Sequence, residues 1–96
     1  MPELFRLDVP HHIADVIRSL PPDLKRSVRA AIDQILTDPS CGEPLRAELS
    51  AYWKYRVRRF RIVYAIDKRR RKVRIMAVGY RRDVYEEFAK QLKIRG

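Results

Sequence analysis

The spacing of apolar positions changes twice along the chain, and each change predicts a different element. In residues 3–9 (ELFRLDV), Phe5, Leu7 and Val9 fall at every second position, which predicts a strand with one buried face. From residue 11 the spacing becomes helical: Ile13, Val16, Ile17 and Leu20 share one face, and Pro21–Pro22 stops that helix. Asp23 or the prolines open a second helix, whose apolar stripe is Leu24, Val28, Ala31, Ile32, Ile35 and Leu36. It ends at Asp38–Pro39, because the residue before a proline avoids helical angles. The two helices are expected to pack as a hairpin. Residues 39–43 (PSCGE) have turn chemistry, and the PLRAELS stretch after them is an edge-strand candidate.

Beyond residue 51 the alternation returns. Trp53, Tyr55 and Val57 point one way while Lys54, Arg56 and Arg58 point the other; Phe60, Ile62, Tyr64 and Ile66 then alternate with Arg61, Val63 and Ala65. Val73, Ile75 and Ala77 continue the pattern to Gly79. Residues 68–72 (KRRRK) are expected at a hairpin tip, since five like charges could not lie in a packed strand. Asp83 is expected to cap a last helix in which Val84, Phe88 and Leu92 share a face. The expected fold class is α+β: an N-terminal strand and helical hairpin packed on a mainly antiparallel four-stranded twisted sheet, with a short C-terminal helix and the helices on one sheet face. At 96 residues, a single domain spanning 1–96 is expected.

Charge adds a direction to this picture. Residues 1–49 carry 6 basic and 8 acidic side chains and residues 50–96 carry 16 and 4, so the net charge of +10 divides into −2 and +12. A surplus confined to one half points to a polyanionic partner, nucleic acid above all, although a basic surface that merely solvates the protein is the plainer alternative. Other classes drop out. Cys41 is the single cysteine, so no internal disulfide forms, and with His11 and His12 alone there is no ligand set for zinc; neither metal nor cofactor is expected. The start has no basic segment followed by an apolar run, and no apolar stretch approaches bilayer length, so a cytoplasmic protein without a membrane partner is expected. There is no glycine-rich phosphate loop, no carboxylate pair in the basic half and no nucleophile–histidine pair. His11 and His12 read as exposed residues at a helix start.

The chemistry gathers in the second half. A hairpin loop of even length centred on Arg58–Arg59 sets Arg56 opposite Arg61, with Lys54 on the same face. Like charges directly opposite one another are destabilising, so this pairing asks for an anion such as phosphate; a solvated charged face is the competing reading. Arg58 and Arg59 suit a tight turn poorly where positive φ is needed, so a longer loop is expected. In VGYRRDVY (78–85), Arg81 and Arg82 sit at a strand-to-helix junction, and Tyr85 either presents its hydroxyl there or completes the core with Phe88. Trp53, Tyr55, Phe60 and Tyr64 read as packing residues, whereas Tyr80 at the strand end is placed to stack on a base.

The runs WKYRVRRFRIVYAID and VRIMAVGYRRDVYEEF together resemble the RelE/ParE family of toxins from type II toxin–antitoxin pairs. The resemblance implies a small metal-independent endoribonuclease that enters the ribosomal A site and cuts messenger RNA, held inactive by an acidic cognate antitoxin, alone as a monomer or in a hetero-oligomer with that antitoxin. By matching positions, it implies catalytic roles for Arg61, Arg81, Tyr85 and Lys54, with Arg56 completing the basic pair. Arg58, Arg59, Arg82 and Tyr80 join Arg56 as expected RNA-binding residues. Two departures stand out: Arg58–Arg59 replaces the usual Gly–Asp turn, and Tyr80 replaces the histidine common after the glycine, which leaves the general base unassigned. RNA supplies its own nucleophile in the 2′-hydroxyl, and Lys54 or Tyr85 is expected to move a proton if neighbouring cations lower its pKa. ParE-type toxins, which resemble RelE in fold but act on DNA gyrase, are the alternative, followed by a noncatalytic RNA-binding module.

Overall fold

The computed structural model describes residues 4–80 and 83–95. Strand β1 (Arg6–Asp8) is followed by helices α1 (His11–Arg18) and α2 (Pro22–Thr37), then by strands β2 (Glu43–Pro44), β3 (Tyr52–Val57), β4 (Phe60–Asp67) and β5 (Lys72–Gly79), and by helix α3 (Asp83–Arg95). The strands form one sheet in the order β1-β5-β4-β3-β2. The N-terminal strand therefore joins the sheet, which has five strands rather than four: β1 lies parallel to β5, with Leu7 beside Val73, and every other pairing is antiparallel. The helical hairpin supplies the long connection that a parallel pair needs.

Both helices of the hairpin follow the apolar spacing. Pro22 stands at the first position of α2, where a missing N–H costs nothing, and Val28, Ala31, Ile32 and Ile35 turn inward. They close on Val57, Phe60, Ile62, Tyr64, Val73 and Ile75, with Trp53 and Tyr55 packed alongside. Of the first strand, Phe5 and Val9 pack half-buried, whereas Leu7 stays 41% exposed, so its face is only partly covered.

The second sheet face is also covered, contrary to the one-sided arrangement expected from sequence. Val63 is fully buried there with Leu45 and Phe88, and Tyr52, Met76, Ala77, Tyr85 and Leu92 pack around them under α3. Strand β4 is thus buried on both faces at Ile62, Val63 and Tyr64, as a central strand should be. Ala77 belongs to this second face, not to the face of Val73 and Ile75. A bulge between the Val63–Ala77 and Tyr64–Ile75 pairs inserts Met76 and reverses the alternation.

Three further expectations change. Glu43–Pro44 pairs with β3 and the Leu45 N–H still donates to the Tyr52 carbonyl at 2.9 Å, but the later residues of PLRAELS leave the sheet and form a 3₁₀ turn at Ala47–Leu49. The β3–β4 loop is a two-residue turn, not a longer one: Val57 pairs with Phe60, and Arg58 adopts φ 56°. The β4–β5 tip comprises residues 68–71, because Lys72 already pairs in β5.

Candidate nucleic-acid cleavage site

The two-residue turn fixes the register of the basic strand pair. Arg56 lies directly opposite Arg61 and Lys54 opposite Val63, so all three cations stand on the α3 side of the sheet beyond its apolar patch. Each arginine is anchored by a backbone carbonyl in a different direction. Arg56 Nε donates to the Arg58 carbonyl at 2.9 Å, and Arg61 Nη1 donates to the Tyr80 carbonyl at 2.9 Å. Neither guanidinium is exhausted by that one bond, and Glu43 and Glu86 line the same cleft.

Helix α3 brings Tyr85 to the same place, and Lys54 Nζ lies 5.5 Å from the centre of its ring. Lys54 also faces Glu43 across the β2–β3 pair, with Nζ 3.9 Å from Oε2. Together these residues line an open cleft of about 720 Å³ with Cys41, Gly42, Tyr55 and Glu86. Burial raises the pKa of the Tyr85 hydroxyl above its ordinary value, against the opposing pull of the Arg61 and Arg56 guanidiniums and a hydrogen bond with the Arg61 side chain. The cations pull the pKa down, but desolvation outweighs them, so the condition attached to Tyr85 from sequence, a lowered pKa, is not met and the phenol keeps its proton at neutral pH. The Arg61 and Arg56 guanidiniums carry no acceptor, so neither competes for the Tyr85 proton.

The position of Glu43 depends on a close approach at Gly42. A Cβ there would come within 2.5 Å of both the Lys54 carbonyl oxygen and the Tyr64 hydroxyl, so the chain passes β3 only because this residue has no side chain. The buried Tyr64 hydroxyl donates to the Pro39 carbonyl at 2.6 Å and pins the turn before Gly42. Cys41, exposed on that turn, has its thiol pKa raised by burial of the sulfur and by Asp38.

Lys54, Arg56 and Arg61 therefore share one face, as the alternation and the even turn implied, and Tyr85 joins them from α3 while its ring also packs beside Phe88. Arg58 and Arg59 are exposed on the adjoining turn. Tyr80 is 50% exposed with its ring edge against Phe60, centroids 5.4 Å apart, while its carbonyl holds Arg61. Arg81 and Arg82 lie outside the described residues. Sequence reasoning missed Glu43 and Glu86. Glu86 follows Tyr85 on α3, but Glu43 sits in a two-residue strand too short to reveal its register with Lys54. Among the described residues no group of three or more His, Cys, Asp or Glu is placed to hold a metal ion.

The sequence matches, over residues 8–89, the family described as ParE-like toxin of type II bacterial toxin-antitoxin system. No curated protein sequence matches significantly. Among solved structures, the RelBE2 toxin–antitoxin complex of Mycobacterium tuberculosis aligns at 25% identity over 84% of this chain and 95% of that one, with a TM-score of 0.71. A double arginine-to-alanine variant of the E. coli toxin RelE in the free state aligns at 21% identity over 93% and 98%, with a TM-score of 0.74. The RelE–RelB complex of Pyrococcus horikoshii aligns at 15% identity over 83% and 98%, with a TM-score of 0.69. The chain belongs to the RelE/ParE family: it is a toxin of a type II toxin–antitoxin system with a RelE-like fold.

Proposed function

We propose that this toxin is a ribosome-dependent endoribonuclease that cuts messenger RNA in the ribosomal A site. The observation that carries the reading is the convergence of Lys54, Arg56, Arg61 and Tyr85 on one open cleft. Arg61 and Arg56 receive the scissile phosphate and stabilise charge gathering on its oxygens. The 2′-oxygen attacks the adjacent phosphorus as the bond to the 5′-oxygen breaks, giving a 2′,3′-cyclic phosphate and a 5′-hydroxyl. Glu43, held near Lys54, accepts the 2′-hydroxyl proton, and Tyr85 donates its proton to the leaving oxygen. Arg81 is assigned to the same phosphate by the resemblance, and Arg58, Arg59, Arg82 and Tyr80 to the flanking RNA.

The solved complexes of RelE-like toxins with their antitoxins support a cognate antitoxin here as well. Its chemistry would be an acidic, amphipathic segment that folds against the basic face or displaces α3. The toxin would act in the cytoplasm as a single domain of residues 1–96. Inhibition of DNA gyrase is the second reading, favoured by the ParE-like description of the matching family. Inducible expression separates the two. Growth arrest with cuts inside codons of translated messages, and uninhibited purified gyrase, is the expected result; arrest with gyrase inhibited and messages intact overturns the proposal.

A further inference from the structure

A second concentration of positive charge stands at the opposite end of the sheet from the cleft. Strand β4 runs from Phe60, beside the arginine turn, to Asp67, at about 3.3 Å per residue, so the two ends are roughly 20–25 Å apart. At the far end the exposed tip carries Lys68, Arg69, Arg70 and Arg71. Arg6, Lys72 and Arg74 extend it across the edge of the sheet, where Arg6 pairs with Lys72 and Asp8 with Arg74.

The anions here cover only part of that charge. Asp67 accepts the Arg70 backbone N–H at 3.0 Å and lies 4.0 Å from its guanidinium, while Asp8 bridges Lys72 at 3.7 Å and Arg74 at 3.2 Å. Arg71, in the left-handed region at φ 52°, sets its guanidinium 4.6 Å from the centre of the Phe5 ring and so fastens the tip to the first strand. Lys68 and Arg69 have no carboxylate within 4.0 Å among the described residues. The tip is therefore an anchored hairpin with unneutralised cations at its apex, separated from the cleft by the apolar patch under α3.

We propose that this tip is a second RNA-binding surface, which grips the phosphate backbone of folded RNA while the cleft holds the strand to be cut. An acidic peptide is the less fitting occupant of the apex, because a peptide that folds on binding needs apolar surface to offset its ordering, and the exposed Leu4 and Leu7 stand by the first strand rather than among residues 67–72. Phosphates ask only for charge and forked donors, which arginines supply. The inference rests on the RNA-cleaving reading for its biological sense, but it is tested without cleavage.

The test replaces Lys68, Arg69 and Arg70 together by Gln and measures binding of the full chain to purified ribosomes and to a short RNA hairpin across ~50–200 mM salt. The expected result is weaker binding to both, with the slope of log affinity against log salt shallower by about 2, at roughly 0.7–0.9 per lost phosphate contact. Cleavage of ribosome-bound messenger at saturating toxin stays unchanged. An unchanged slope overturns the proposal, as does weakened binding to polyglutamate with RNA binding intact. Loss of cleavage at saturation, with the variant's melting temperature unchanged, overturns the separation from the cleft. If the wild type cuts no messenger yet the slopes differ as stated, the tip assignment stands and the ribonuclease reading falls.

Discussion

Tyr85 is the residue at which packing and chemistry are most easily separated, because phenylalanine keeps its ring beside Phe88 and removes only the hydroxyl. Tyr85→Phe is expected to fold normally and to cut ribosome-bound messenger slower by ~10²–10⁴, the range for a lost acid–base group. Wild-type cleavage would return Tyr85 to the core. Arg61→Ala removes a half-buried cation whose hydrogen bond goes to the Tyr80 carbonyl, and the expected loss is ~10²–10³ in rate with the melting temperature nearly unchanged. A third residue acts only through position. Gly42→Ala drives a methyl against the Lys54 carbonyl and the Tyr64 hydroxyl, and is expected to cost ~1–3 kcal/mol in a denaturant titration while slowing cleavage by shifting Glu43. The cations of this cleft were legible in sequence because alternation and an even turn fix Arg56 opposite Arg61. Glu43 was not, since its place depends on a turn pinned by Tyr64 from 25 residues away.

Elements show where periodicity carries information and where it loses it. The two helices of the hairpin and β3 follow directly from apolar spacing, because each buries one continuous face, whereas β4 is buried on both faces and β5 changes face part-way along. Met76 breaks the rule: one inserted residue turns Ala77 to the other side, and no composition signal marks the insertion. The second covered face was hidden for the same reason, since Val63 alternates with buried neighbours on a strand enclosed by both layers. The β3–β4 turn is a different case. Turn chemistry predicted a longer loop, yet strand pairing holds Arg58 at φ 56°, a conformation that costs a non-glycine residue about 1–2 kcal/mol. Arg58→Asn is therefore expected to raise stability by up to about 1 kcal/mol, or about 4–8 °C in melting temperature, while weakening RNA binding. A melting temperature that falls would show that the arginine is held there by contacts stronger than the strain.

Across the whole molecule, one buried phenol, Tyr64, and one half-buried phenol, Tyr85, contribute to the response to alkali. Burial raises the Tyr64 and Tyr85 pKa values, so below pH ~10 both are protonated whether folded or unfolded, and their contribution is complete. Above that the unfolded chain releases protons that the folded chain keeps, and stability falls until the folded groups ionise. Denaturant midpoints are expected to drop from pH ~9 to ~11, and to drop less in Tyr64→Phe. That variant is already weaker at neutral pH by ~1–3 kcal/mol, because the Pro39 carbonyl loses its donor. An equal drop in both proteins would assign the alkaline transition to other groups.

The parallel pairing of β1 with β5 also has a meaning in time. Arg6 leaves the ribosome well before its partner Lys72, which follows only after the helical hairpin and three further strands have been made. Until then the first strand has no neighbour, β4 lacks one of its two flanking strands, and Tyr85 is still to be synthesised. Contacts so distant in sequence form late and together. The cleft is complete only once Tyr85 has been made, so a half-made chain lacks one of the side chains that line it. In a protein proposed to attack ribosomes, the order of its elements keeps the cleft unfinished until α3 has been made.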